Sequence, residues 1–508
     1  MKSNARKTVT GQAHRAANRR GSSDSIPAPS HTGPIVKPSV EDYIENAWKT
    51  AIVPALAQYI RIPCLSPAFD AEWETNGHLD RAVTLMLDWV RQELRRIPDA
   101  SAEVVRLLGR TPVILVEIPG AGDEAVLVYG HLDKQPEMTG WAQGRAAWIP
   151  TLEGDRLYGR GGADDGYALF SAVVAVLALH DGGLEHARMT ILIEGCEESG
   201  SGDLPHYLEH LAARIGEPSV VIALDAGSPS YDQLWLTTSL RGQVTGTLTV
   251  RVLNEGVHSG DAAGVVPSSF RIARRLLSRL EDADTGVIVD DFHTPIPQAR
   301  RQQALAAGTS LGAAFSSQLP FANDTHAVSN ETAELILNRT WRPQLSITGM
   351  DGLPATAHAP AVMQPAIALK LSLRLPPTLD PEIAAARLKS ILELHPPYRC
   401  EASFRIDMTS RGWHSHELQP WLARTLESAS LAAFGASTAM IGGGGGIPFL
   451  ALLGEKFPRT QFVVMGVLGP QSNAHGPNEF LHIPTAKRIT AVVAQIALAA
   501  GQRRGSIQ

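Results

Sequence analysis

Cysteine is scarce in this chain. Of 508 residues only Cys64, Cys196 and Cys400 are cysteines, an odd number spread far apart. That argues against a disulfide framework and for a reducing compartment, so a cytoplasmic protein is expected. A basic excess is missing as well. The net charge of -6 offers no field to attract nucleic acid or an anionic membrane, and neither is expected as a partner. The longest apolar run, Tyr167 to Leu179, falls short of the about 20 residues that a bilayer-crossing helix needs. It reads as a buried core helix. No internal repeat is visible. The first 38 residues carry Lys2, Arg6, Lys7, Arg15, Arg19 and Arg20 among Ser, Ala, Asn, Pro and Gly, with no apolar stretch to serve as a signal-peptide core. A disordered tail is expected there, with an organelle transit peptide as the alternative.

What the chain does have is ample apolar material, 44% hydrophobic against 19% charged residues. That supports a large core and about two to four domains. The stretch Ala125 to Asp133 is the natural starting point. A β-favouring run meets Gly130, and His131 and Asp133 stand two apart just beyond it. This is a buried strand that ends in a turn, and open α/β sheets place their ligands at such strand ends. Further strands are expected at Pro112–Ile118, Met189–Glu194, Ser219–Leu224 and Gln461–Met465. Helices are expected at Val40–Arg61, where Pro54 threatens a kink, and at His78–Ile97, Pro420–Phe434 and Ile483–Ala500. The alternation of strand and helix predicts an α/β catalytic domain with a mainly parallel sheet and helices on both faces. From Leu240 to about Gly412 the texture changes to alternating strands and two helices. That block is expected to be an inserted α+β domain, which divides the first domain into residues 39–239 and 413–508 and leaves 240–412 as the insert.

Three successive strands run into acidic or histidine residues: His131, Glu197 with Glu198, and Asp225. Asp164 follows a glycine-rich turn, and His475 follows the last strand. Two imidazoles and three carboxylates from His131, Asp164, Glu198, Asp225 and His475 suit zinc, manganese or cobalt. Each has an ordinary alternative. Asp164 or Asp165 fits a helix cap, Glu197 and Glu198 a solvated acidic pair, and Asp225 a turn. Either histidine fits a hydrogen-bonded loop position. Cys196 reads as a packing residue rather than a nucleophile, because acidic neighbours raise a thiol's pKa. The case for chemistry rests on their occurring together, in order, at strand ends.

Five motifs in order resemble the dinuclear metallopeptidases that include carnosinase, aminoacylase and glutamate carboxypeptidase. They are Gly130-His131-Leu132-Asp133-Lys134-Gln135-Pro136, Gly159-Arg160-Gly161-Gly162-Ala163-Asp164, Glu194-Gly195-Cys196-Glu197-Glu198-Ser199-Gly200-Ser201, Asp225, and Ala474-His475. The resemblance spans about Val40 to Ala500. Gly256-Val257-His258-Ser259-Gly260 and Trp341-Arg342-Pro343 look closest to the carnosinase-like dipeptidase branch. The resemblance implies two divalent ions, zinc foremost with manganese or cobalt as alternatives. His131, Asp164 and Asp225 would hold one; Asp164, Glu198 and His475 would hold the other. It further implies Asp133 as the carboxylate that orients His131 and Glu197 as general base. His258 would steady the oxyanion, in many relatives across a dimer, and Arg342 would bind a substrate carboxylate. The insert would then be a lid and dimerisation domain, and a homodimer is expected.

Two departures from that branch are visible. Gly166 stands where the branch usually has Lys. The run Gly442–Gly446 before Ile447-Pro448 replaces a loop that usually carries an acidic residue and a serine. The expected activity is metal-assisted hydrolysis of the amide bond in dipeptides or short peptides. The alternatives are an N-acyl amino acid amidase on the same site and a non-catalytic peptide-binding protein.

Overall fold

The computed structural model describes residues 39–503. The tail expected over residues 1–38 lies outside the described residues, as do residues 504–508.

A six-stranded sheet forms the centre. Its spatial order is Ser101–Val105, Val113–Ile118, Arg188–Glu194, Ala125–His131, Val220–Ala223 and Gln461–Val464. The last four strands are mutually parallel, and the first two attach antiparallel at one edge. The mainly parallel α/β sheet expected from the alternation is therefore present. Its strands are continuous apolar runs because both faces are covered. Side chains alternate across the sheet: Val126 and Val128 enter one core, and Leu127 and Tyr129 enter the other.

The helix Tyr167–Gly182 lies in the larger core, and every residue from Tyr167 to Leu179 is buried. The segment Gly162–Gly182 is long and apolar enough for a bilayer, but its most apolar 18 residues are wholly buried in protein, so the expected core helix is what forms. The first predicted helix is interrupted. Helix Val40–Ala47 widens into a π-helical segment, Trp48–Ile52, before helix Val53–Ile60 resumes. Pro54 then falls in the first turn of the second helix, where its missing N–H costs little.

Between Val220–Ala223 and Gln461–Val464 the chain builds a second, antiparallel sheet. Its order is Gln344–Asp351, Ala366–Leu375, Gly242–Arg251, Glu401–Ser410. Helices Ser269–Leu277 and Pro381–Glu393 cover one face and share a core around Leu248, Leu371, Leu388 and Phe404. A three-stranded sheet of Trp413–His414, Trp235–Leu240 and Ala439–Gly443 stands where the chain enters and leaves this insert. Helices Gln298–Leu311 and Thr332–Thr340 lie within the insert's sequence. They pack on the three-stranded sheet instead, through Ala304, Ala307, Ile336 and Leu337 against Trp235 and Ile441.

Candidate metal centre

Parallel strands deliver their carboxyl ends to one edge, and the chemistry collects there. His131 is the last residue of its strand. Glu197 and Glu198 open a short turn just beyond Glu194, and Asp225 stands two residues past Ala223. Asp164 comes from the turn Gly162–Gly166 that leads into the core helix. His475 comes from the loop after the Gln461–Val464 strand, in a left-handed conformation with φ 64°.

These five side chains form two groups that share one member. His131 Nε2 lies 3.3 Å from Asp164 Oδ1 and 3.9 Å from Asp225 Oδ2. His475 Nε2 lies 3.0 Å from Asp164 Oδ2 and 3.3 Å from Glu198 Oε2. Within each trio, His131–Asp164–Asp225 and Asp164–Glu198–His475, the donor atoms lie within 4.8 Å of one another. Asp164 thus offers one oxygen to each side, which is what a carboxylate bridging two cations must do. Neither aspartate of the turn caps the following helix, whose cap residue is Gly166 without a side-chain hydrogen bond.

The surroundings hold these donors in place. His131 Nδ1 bonds the Asp133 carbonyl oxygen at 3.0 Å, with the Asp133 carboxylate 3.6 Å away. That leaves Nε2 for a ligand, because the partner of one ring nitrogen fixes the role of the other. The Asp133 carboxylate is fully buried and accepts the backbone N–H groups of Glu197 and Glu198 at 3.1 and 3.0 Å. Asp133 therefore ties two strand ends together as well as orienting the imidazole. Gln135 Nε2 donates to Glu198 Oε2 at 2.7 Å. Gly130 is required: a Cβ there would meet Asp165 Oδ2 at 2.6 Å. Sequence reasoning did not single out Gln135, Arg160 or Glu479. Arg160 and Glu479 form a buried ion pair, Arg160 also donates to the Gly476 carbonyl at 2.9 Å, and Glu479 accepts the Gly161 N–H at 2.9 Å. This pair clamps the His475 loop onto the Asp164 turn.

Negative charge is concentrated beyond what two imidazoles offset. Burial, then the neighbouring Asp164, pushes the Asp225 carboxyl up to about 7. The same two causes push Glu198 up to about 8. Burial and Asp225 push Glu197 well above the usual carboxylate range. Hydrogen bonding to Asp164 is the largest cause lifting His475 to about 9. Burial works against the charged form of His131, but Asp133, Asp164 and Asp225 outweigh it and raise the imidazole well above its ordinary value. Such a site calls for added positive charge, and its oxygen and imidazole donors match divalent transition ions. No cysteine belongs to either trio. The buried Cys196 thiol is pushed well up by burial and Glu194, in line with a packing role.

Three other sequence features are placed as follows. His258 is 67% exposed and lies 3.6 Å from Asp261 in the insert, outside both trios. Arg342 is held by Glu334 at 2.7 Å and by Asn338 Oδ1 at 2.7 Å. Gly166 has a steric cause: a Cβ there would meet the Tyr59 ring at 2.2 Å. Over that ring, 3.8 Å from its centroid, lies the Nζ of the fully buried Lys134, which donates to the carbonyls of Tyr59 and Ile62 at 2.8 Å.

Two candidate ligand trios at the sheet edge that share one carboxylate have the arrangement a dinuclear centre requires. The pattern of peptidase family M20/M25/M40 matches residues 127–499, and the chain belongs to that family of peptidases. Among curated relatives, it is 23% identical over 406 residues to a cysteinylglycine-S-conjugate dipeptidase of Corynebacterium striatum, covering 77% of this chain and 84% of the relative. It is 25% identical over 461 residues to the human Beta-Ala-His dipeptidase, covering 79% and 86%. The crystal structure of human carnosine dipeptidase 1 superimposes with a TM-score of 0.69 at 21% identity, over 91% of this chain and 98% of that one.

Proposed function

We propose that this enzyme is a dinuclear metallodipeptidase that cleaves the amide bond of dipeptides or short peptides. The observation that carries the proposal is the shared Asp164, with one oxygen toward His131 and the other toward His475, in a chain of a peptidase family. The dipeptidase names of the relatives support the substrate class. His131, Asp164 and Asp225 hold one ion, and Asp164, Glu198 and His475 hold the other. Zinc is the proposed metal, with manganese or cobalt as the alternatives the donor set also suits. Divalent ions held there supply Lewis acidity toward water and toward a carbonyl oxygen.

The chain's own groups do the rest. Glu197 belongs to neither trio, yet its carboxyl feels Asp225 and His131 directly. It takes the proton of the attacking water and delivers it to the leaving amine, which must depart protonated. Asp133 fixes the tautomer of His131 through Nδ1 and holds the backbone of the Glu197–Glu198 turn. His258 steadies the oxyanion from the partner subunit of a homodimer that the insert forms as lid and dimerisation domain. Its exposure in one chain, away from both trios, favours that arrangement. Residues 39–239 and 413–508 then act as the catalytic domain and 240–412 as the lid. Arg342, near the end of helix Thr332–Thr340, is the carboxylate fork the family resemblance implies. All three cysteines are free, which supports a cytoplasmic, reducing location.

The test is turnover of a panel of dipeptides and N-acetyl amino acids after reconstitution with zinc, manganese or cobalt. Dipeptide hydrolysis is expected to dominate. Hydrolysis confined to the N-acetyl amino acids would replace the dipeptidase assignment with an N-acyl amidase.

A further inference from the structure

Lys134 is fully buried, and no step described so far uses it. Its ammonium lies at the end of helix Val53–Ile60. It donates to the carbonyls of Tyr59 and Ile62 at 2.8 Å and to that of Ile60 at 3.4 Å. The last carbonyls of a helix have no partner within it and form its negative end, so a cation is favoured there. The Tyr59 ring lies 3.8 Å from Nζ and the Trp148 ring 5.4 Å, measured to the centroids. Burial pulls the ammonium down to about 8, so it keeps its proton at neutral pH. An ammonium taken out of water is costly unless it is bonded in this way.

The helix end that Lys134 caps grips the strand end on both sides of Asp133. Tyr59 Oη donates to the Leu132 carbonyl at 2.8 Å, and Cys64 Sγ donates to the same oxygen at 3.3 Å. The Ser66 N–H donates to the Lys134 carbonyl at 3.0 Å. Between these anchors Asp133 offers its carbonyl to His131 and its carboxylate to the N–H groups of Glu197 and Glu198. The same segment also reaches the Glu197 turn. The Ser66 and Ser199 hydroxyls lie 2.5 Å apart, and Ser199 Oγ accepts the Ala68 N–H at 2.8 Å. The lysine stem fills the space beside the Asp164 turn. A Cβ on Gly161 would meet Lys134 Cε at 2.6 Å, and one on Gly166 would meet the Tyr59 ring at 2.2 Å. One buried side chain thus touches the segments that present His131, Asp164 and, through Asp133, Glu197 and Glu198.

We propose that Lys134 is a positioning residue of the metal centre. By capping helix Val53–Ile60 it fixes Asp133, and through Asp133 it sets the His131 imidazole and the backbone of Glu197. It acts through these groups rather than on an ion or the substrate. Its loss then alters the ligand field and slows the chemical step while substrate affinity stays. This rests on the dinuclear reading and adds a residue to it.

The experiment compares full-length wild type with K134M and Y59F, each loaded with cobalt. K134M keeps an unbranched stem and removes the ammonium. Y59F keeps the ring and removes the hydrogen bond to Leu132. The readings are the visible absorption of bound cobalt, a cobalt titration, dipeptide kinetics at saturating cobalt, and melting in chelator. K134M is expected to shift the cobalt absorption and to weaken the ion of the His131 trio about 10–100-fold. Its kcat is expected to fall about tenfold with KM within about twofold of wild type. Y59F is expected to move the same readings in the same direction, with kcat down about threefold. Where K134M does not fold, Y59F decides by these readings. A lower melting temperature with the wild-type cobalt absorption and kcat would make the residue a support of the fold alone and overturns the proposal. A raised KM with unchanged kcat overturns it too. If no dipeptide is cleaved, the absorption and the titration decide. A wild-type chain that binds no cobalt refutes the dinuclear reading itself, which sets that failure apart from an effect missing in the variants alone.

Discussion

Replacing Glu479 by Gln tests how the His475 loop is held. Arg160 and Glu479 are 1% and 0% exposed at their side chains. Glutamine preserves the shape and still accepts the Gly161 N–H, but it leaves the Arg160 guanidinium buried without an anion. Breaking a buried pair in that way costs about 3–5 kcal/mol. At about 2 cal/mol/K per residue, the described body loses about 1 °C per kcal/mol, so the melting temperature of the metal-free protein falls by about 3–5 °C. The centre suffers as well, because Arg160 lies four residues before Asp164 and Glu479 four after His475. Affinity for the ion of the His475 trio is expected to drop about 10–100-fold, the usual effect of losing an outer support. Thermal denaturation in chelator and metal titration read the two effects separately. A double-mutant cycle with Arg160→Met supplies the control, with a coupling of about 2 kcal/mol or more expected for groups in direct contact. Additive single effects, or a metal affinity untouched by E479Q, would refute the clamp.

Other outcomes follow from the same geometry. Glu197→Ala is expected to abolish dipeptide turnover while both metals stay bound, since Glu197 belongs to neither trio; comparable turnover by that variant would remove it from the mechanism. If His258 acts across a dimer, chains carrying only His258→Ala and chains carrying only Glu197→Ala are each inactive, yet together recover about a quarter of normal activity on subunit exchange. No recovery in exchanged heterodimers would place His258 elsewhere. Restoring the family's lysine with Gly166→Lys is expected to destabilise by about 1–3 kcal/mol or more, because the new Cβ would meet Tyr59 at 2.2 Å. A variant as stable as the parent in denaturant titration would show that Tyr59 moves freely.

Much of this was legible in the chain. Buried parallel strands are runs of apolar residues, and the residues just past them fall on one edge whatever the rest of the fold does. His131, Glu198 and Asp225 could be grouped on that ground alone. Asp164 and His475 joined the donor set by residue type and order, but the division of the five into two trios needed the family resemblance, since a glycine-rich turn and a loop have no periodicity to aim them. Helices Gln298–Leu311 and Thr332–Thr340 were missed. The first carries Arg, Gln, Ala, Gly, Thr and Ser with few large apolar residues, and it packs on a sheet through Ala304 and Ala307. Small side chains bury well but give a weak signal. The Arg160–Glu479 pair spans 319 positions, and such pairing is set by tertiary structure rather than local pattern. Gly166 and Gly442–Gly444 looked like lost contacts in the sequence. The fold shows what fills the space: Tyr59 beside Gly166, Ser239 and Thr340 beside Gly442, Leu240 beside Gly443 and Arg339 beside Gly444.

Metal stoichiometry, by mass spectrometry of the reconstituted protein and its variants, tests the shared carboxylate most directly. About two divalent ions per wild-type chain are expected, about one after His475→Ala, and none held tightly after Asp164→Ala. A single ion per chain, indifferent to His475, would contradict the dinuclear account.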